Sequence, residues 1–191
     1  MSQKIENYIT GDDSSRGAGY ATYLAQTFTA ESNHTVSSVK LKMYYVINNS
    51  GTLTVSIKAT SGGLPTGSDL ASGSRLVQGM SNTSPGEWYE ITMDTPYDLV
   101  SGTVYAIVIT ATDASLGVRE DETSPSYSGG NEVLSTDSGA NWTAYTGRDL
   151  MFEIWGDIST SLKTIHGLAK ASVKTINGLA MASVKSVSGL S

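Results

Sequence analysis

Gly102-Thr103-Val104-Tyr105-Ala106-Ile107-Val108-Ile109-Thr110 is the longest nearly unbroken run of β-branched and apolar residues in the chain. Bounded by Ser101-Gly102 and Asp113, it reads as a strand covered on both faces. Burying each of its Val and Ile side chains is worth roughly 1.5–3 kcal/mol. A strand apolar on both sides requires a layer above it and a layer below it, so the rest of the chain has to supply covering strands. The composition suits such cover, since 20 Gly and 10 Tyr, with abundant Ser and Thr, favour short strands joined by tight turns.

Taken in order, Asn7 to Gly19 is polar and loop-like, and pairing begins near Tyr20–Tyr23. Ala25 to Ala30 reads as a strand with Phe28 inward, and Glu31 to Thr35 as a turn with His34 exposed. Val39, Leu41, Met43 and Tyr45 alternate with Lys40, Lys42 and Tyr44. After the turn Asn48-Asn49-Ser50-Gly51, Leu53, Val55, Ile57 and Ala59 alternate with Thr52, Thr54, Ser56 and Lys58, so the two segments form a hairpin. Thr60 to Ser74 reads as a Gly/Ser/Pro-rich surface loop. Further strands are expected at Glu87–Met93, Leu116–Arg119 and Leu150–Ile154. About eight strands at this spacing predict an all-β fold, a jelly-roll-like antiparallel β-sandwich over residues 1–157, followed by a repeat tail over residues 158–191.

The segments Gln26-Thr27-Phe28, Gly63-Leu64-Pro65 with Gly67 and Leu70-Ala71, Trp88-Tyr89-Glu90-Ile91, Leu99 with Gly102-Thr103 and Tyr105-Ala106-Ile107-Val108, and Asp149-Leu150-Met151-Phe152 fall in a familiar order. In that order the span of about residues 20–156 resembles choice-of-anchor R type domains, β-sandwich modules of bacterial surface proteins that also occur in phage and metagenomic virion proteins. The resemblance implies a sandwich fold and surface display. Its motifs are strand and turn residues, so it implies no activity.

Charge and residue usage narrow the function classes. Residues 1–157 hold 8 Lys+Arg and all 18 Asp+Glu, while residues 158–191 hold four lysines and no acid. An acidic body does not favour nucleic acid as a partner. The absence of Cys removes disulfides and thiolate chemistry, and with only His34 and His166 a zinc site or a Ser-His-Asp hydrolase is not expected. Met1 to Tyr8 offers no apolar core of a signal peptide, and no run reaches the length of a membrane span.

Ser135-Thr136-Asp137-Ser138-Gly139-Ala140-Asn141-Trp142 fits the sialidase Asp-box pattern, Ser-x-Asp-x-Gly-x-x-Trp. The roles of Ser135, Asp137, Gly139 and Trp142 are structural: the carboxylate accepts backbone N–H bonds, Gly takes positive φ, and Trp packs over the turn. A sialidase propeller needs several blades, which this chain cannot supply, so no enzyme is expected. Glu120-Asp121-Glu122 reads as a solvated acidic loop, as do Asp12 and Asp13. A calcium site there would use Glu120 or Asp121 with backbone carbonyls, and no cofactor is otherwise expected. Tyr20, Tyr44, Tyr97, Tyr127 and Tyr145 lie near predicted loops or outer faces, where they would pack on the sheet surface or stack on sugars.

The tail repeats with an 11-residue period: Ser161 to Ala171 aligns with Ser172 to Ala182 and with the shorter Ser183 to Ser191. Lys163, Lys174 and Lys185 recur in register, as do Gly167, Gly178 and Gly189. Leu162, Ile165, Val173, Ile176, Val184 and Val187 supply the apolar positions. The spacing fits short strands joined at Gly turns or a hendecad helix. Gly and β-branched residues in every repeat favour strands. Repeats this short cannot bury an apolar face alone and need a partner surface. They resemble C-terminal extensions of phage and phage-like structural proteins. The expected function is therefore a phage virion structural protein (a decoration, fibre or tail-associated subunit) assembled in the host cytoplasm, with itself or other virion proteins as partners. The alternative is a carbohydrate-binding adhesion module at a cell surface, its partner a host glycan.

Overall fold

The computed structural model describes residues 2–158 and, beyond them, four two-residue strands. The chain divides into two compact units, Met1–Ile158 and Ser159–Ser191. The first unit is an antiparallel β-sandwich. Its strands are β1 (Gln3–Tyr8), β2 (Ser14–Ala18), β3 (Tyr23–Thr29), β4 (His34–Ile47), β5 (Thr52–Ser61), β6 (Leu64–Leu76) and β7 (Glu87–Leu99). They continue as β8 (Val104–Thr112), β9 (Ser115–Asp121), β10 (Glu132–Ser135), β11 (Thr143–Tyr145), β12 (Asp149–Leu150) and β13 (Phe152–Ile158).

The first sheet is built around the long strand β4. One edge of β4 pairs with β7, and the opposite edge is shared: β13 takes Val36 to Leu41 and their flanks, and β9 takes Met43 to Ile47. β1 borders β13, and β2 and β12 flank β9. The second sheet runs β11-β10-β3-β8-β5-β6. β8 lies near its centre, between β3 and β5.

Period-two alternation sets the core. Tyr105, Ile107 and Ile109 of β8, Leu53, Val55 and Ile57 of β5, and Phe28 of β3 join Val39, Leu41, Met43, Ile91, Leu116, Phe152 and Ile154 of the first sheet in one buried cluster. Phe28 and Phe152 meet across the sandwich at 6.4 Å between ring centroids. The other phase of β8, Ala106 and Val108, is also buried, with Ala25 and Val133, beneath Leu64 and Trp142. The run that demanded cover on both faces has it: a full sheet on one side, and on the other a small cluster roofed by two side chains.

Among the described residues thirteen strands build the first unit, where about eight were expected. The additional ones are β1, β2, β6, β10, β11 and β12. The segment expected to be a loop, Thr60 to Ser74, is largely β6, an edge strand paired with β5 from Thr52↔Leu76 to Ser61↔Leu64. Edge strands need little apolar alternation, which is why their residues read as loop. The hairpin expected from β4 and β5 is not formed: β4 belongs to the first sheet and β5 to the second, so the Asn48–Gly51 turn carries the chain from one sheet to the other. His34 is also corrected. It opens β4 with its ring fully buried, its Nδ1 lies 2.9 Å from the Ser32 carbonyl, and burial pushes its pKa down.

In the second unit β14 (Thr164–Ile165) pairs with β15 (Leu168–Ala169), and β16 (Thr175–Ile176) pairs with β17 (Leu179–Ala180). Each is a separate two-stranded antiparallel sheet with two residues between its strands. Ile165 and Ile176 occupy equivalent places, opposite Leu168 and Leu179. Leu162, Lys163, Gly167, Val173, Lys174, Gly178, Val184, Lys185, Val187 and Gly189 lie outside the described residues.

Candidate functional site

The outer face of the second sheet carries a groove of about 500 Å³. Its floor is the polar phase of β5 (Thr54, Ser56, Lys58) beside Val108 and Thr110 of β8. Thr54 stands opposite Thr110 and Ser56 opposite Val108. One wall is the far end of the β5–β6 hairpin. There the register slips between Lys58↔Asp69 and Ala59↔Thr66, so Gly67 and Ser68 bulge outward. Lys58 fastens the bulge: its Nζ donates to the Gly67 carbonyl at 3.0 Å and pairs with Asp69 Oδ1 at 2.8 Å.

The Asp-box loop and Tyr23 form the opposite wall. The Asp137 carboxylate accepts from Asn141 Nδ2 at 2.6 Å, from the Asn141 backbone N–H at 2.9 Å and from Ser135 Oγ at 2.7 Å. Ser135 Oγ in turn accepts the Gly139 N–H at 2.9 Å. The Asn141 side chain, the Asn141 N–H and Ser135 together hold the Asp137 pKa down to about 2. Ser138 N donates to the Ala21 carbonyl at 2.9 Å, tying the loop to the chain entering β3.

Gly139 adopts φ of 84°, a left-handed conformation that favours glycine. A Cβ there would stand 3.2 Å from the Tyr23 ring and 3.6 Å from that of Trp142, so the missing side chain lets the two rings flank the loop. Trp142 lies over Val108 and its neighbours and faces the groove along its remaining surface. The arrangement is two aromatic rings on a pinned loop beside a floor of hydroxyls. Chemically it can stack and hydrogen-bond.

A second polar centre is enclosed between the sheets. Glu120 of β9, Glu132 of β10 and Asp149 of β12 are all buried. Arg148 reaches Glu120 at 3.4 Å and also pairs with Glu122; Arg16 reaches Glu132 at 3.3 Å. Tyr145 lies beneath both guanidiniums, 4.7 Å from Arg16 and 5.9 Å from Arg148. Burial, then the hydrogen bond and charge of Glu120, push the Glu132 pKa up to about 9. Burial raises Asp149 to about 6, against the Gln26 amide, which donates to Asp149 Oδ1 at 3.0 Å. Gln26 Oε1 also accepts the Leu150 N–H at 2.8 Å. These contacts tie the sheets together.

The acidic segment therefore differs from expectation. Glu120 and Asp121 are buried at the end of β9, and only Glu122 is exposed. Asp121 accepts from Tyr8 at 2.6 Å and from the Ser124 N–H at 3.0 Å, so both of its oxygens are engaged. Asp12 pairs with Lys42 and Arg119 and is not simply solvated. Among the described residues no cluster of three or more metal-ligating side chains occurs.

Of the five tyrosines singled out, Tyr20 is exposed, while Tyr97 and Tyr127 pack on the core. Tyr44 meets Ser15 at 3.0 Å and Tyr145 meets the arginines. None lines the groove. Tyr23, Lys58 and Asp69, which do, were not singled out; the wet phase of β5 was the available signal. No protein-family model matches the chain, and no curated protein matches it.

Proposed function

We propose that this chain is a virion structural protein, a decoration, fibre or tail-associated subunit that displays the β-sandwich and joins the particle through residues 158–191. The observation that carries the reading is the 11-residue repeat, with its lysines and glycines in register. Two further observations support it. Met1–Ile158 forms a compact unit with its own buried core. The described tail strands come as isolated two-residue pairs, and a lone two-stranded hairpin is marginal in water. Such pairs gain stability when further strands, from copies of the chain or from another virion protein, border them. A tail with lysines and no acid also complements the acidic sandwich of a neighbouring copy. Mass spectrometry of purified particles from the source tests the reading: the protein should be a stoichiometric component, and its absence would overturn the assignment.

A further inference from the structure

We infer that the outer-face groove between the Asp-box loop and the β5–β6 bulge is a binding site for a short neutral pyranose oligosaccharide. The site does not depend on how the chain assembles. The outside of a central strand pair is walled on both sides, and each wall is fixed by its own hydrogen bonds. Asp137 pins one wall through three acceptor bonds, and Lys58 pins the other through Gly67 and Asp69. The volume of about 500 Å³ falls within the range of about 300–1,000 Å³ typical of small-ligand sites.

The lining chemistry selects the ligand class. Trp142 and Tyr23 line the groove with partly exposed aromatic rings, and aromatic rings stack on the C–H face of a pyranose. The hydroxyls of Thr54, Ser56 and Thr110 have no partner among the described residues. Hydroxyls both donate and accept, which matches sugar hydroxyls of either polarity. The groove has one lysine, and Asp69 neutralises it, so no free cation among the described residues of the groove awaits a carboxylate, sulfate or phosphate. An anionic glycan would also meet the field of the acidic body. An extended peptide is disfavoured because the floor is the face of paired strands, with no open backbone edge to extend. Asp137 acts here as a positioning residue, through the Asn141 N–H adjacent to Trp142.

The test uses the full chain on an array holding neutral hexaoses (cellohexaose, maltohexaose, mannohexaose and galactohexaose) together with sialyllactose and oligogalacturonate. The best binder is then titrated by tryptophan fluorescence and by saturation-transfer NMR. At least one neutral hexaose should bind. Trp142→Ala and Tyr23→Ala should each weaken it tenfold or more. Thr54→Lys, which fills the floor without touching the Asp-box loop, should do the same at an unchanged melting temperature. Trp88→Ala, on the other sheet, should leave binding unchanged. Asp137→Asn should weaken binding less than Trp142→Ala and broaden the Trp142 indole resonance. A blank array, binding confined to the acidic glycans, or full binding by folded Thr54→Lys would each overturn the proposal.

Discussion

Glu120 on β9 and Glu132 on β10 bring two fully buried carboxyls together across the sandwich, each with one guanidinium at its outer side. Glu120 Oε2 and both Glu132 oxygens lack a hydrogen-bond donor. Burial of the charged form, and then the hydrogen bond and charge of Glu120, push the Glu132 pKa up to about 9.

Stability should therefore fall as pH rises. Glu132 goes from 4.5 to about 9, Glu6 from 4.5 to about 7 and Asp149 from 3.8 to about 6 on folding. Each is an acid whose folded value lies above its unfolded one. The folded chain thus binds more protons between the two values, and stability is lost as pH climbs through that window. Calorimetry should show the melting temperature dropping by about 5 °C or more from pH 5.5 to pH 9. Glu132→Gln, neutral at every pH, should flatten the alkaline part of the fall. A melting temperature that rises over this range would contradict the assignment.

Asp137 runs the other way. Its folded pKa is lowered from 3.8 to about 2, so its contribution is present above the unfolded value and lost as pH falls through about 2. Its group is on the surface, so the consequence is local. Amide exchange at Asn141 should be protected at pH 4 in the native chain and fast in Asp137→Ala, while core amides of β8 stay protected in both. Equal exchange at Asn141 in the two proteins would show that the carboxylate does not hold the loop.

Phe152 makes a sharper demand on the core. It is fully buried, lies 6.4 Å from Phe28 and meets Tyr127 edge-on at 5.2 Å. Phe152→Ala removes the contact between sheets at its centre and should cost about 3–5 kcal/mol in urea unfolding. Phe152→Leu, which keeps most of the volume, should recover over half of that loss.

Removing residues 159–191 should leave a soluble, cooperatively melting sandwich, because Met1–Ile158 is a compact unit and every member of the buried cluster among the described residues lies before Ile158. The truncated chain should be monomeric by light scattering. Replacing Ile165, Ile176 and Val187 together with Asp should reproduce the effect by placing charge on the apolar position of each repeat. Lys163→Glu, Lys174→Glu and Lys185→Glu should weaken assembly more gently and in a salt-dependent way. Native assembly by the truncated chain would exclude the tail as the joining element.

The sequence by itself determined the sandwich. Alternation in Leu53, Val55, Ile57 and in Val39, Leu41, Met43 assigned inward faces, and the unbroken run through Ile109 required cover on both sides. These are local patterns, legible because a strand repeats every two residues. Edge strands such as β6 escaped because they pair along one edge only, so their residues carry little apolar alternation. What only the tertiary structure decided was which polar residues leave water. Glu120 read as a surface charge because what buries and pairs it, Arg148 among the partners, comes from another part of the chain. The groove was hidden for the same reason. Tyr23, Lys58, Thr110 and Trp142 are far apart in the chain, and only strand pairing between β3, β5, β8 and β10 brings them to one side of a sheet. Pairing register is a long-range choice, and no local window of residues contains it.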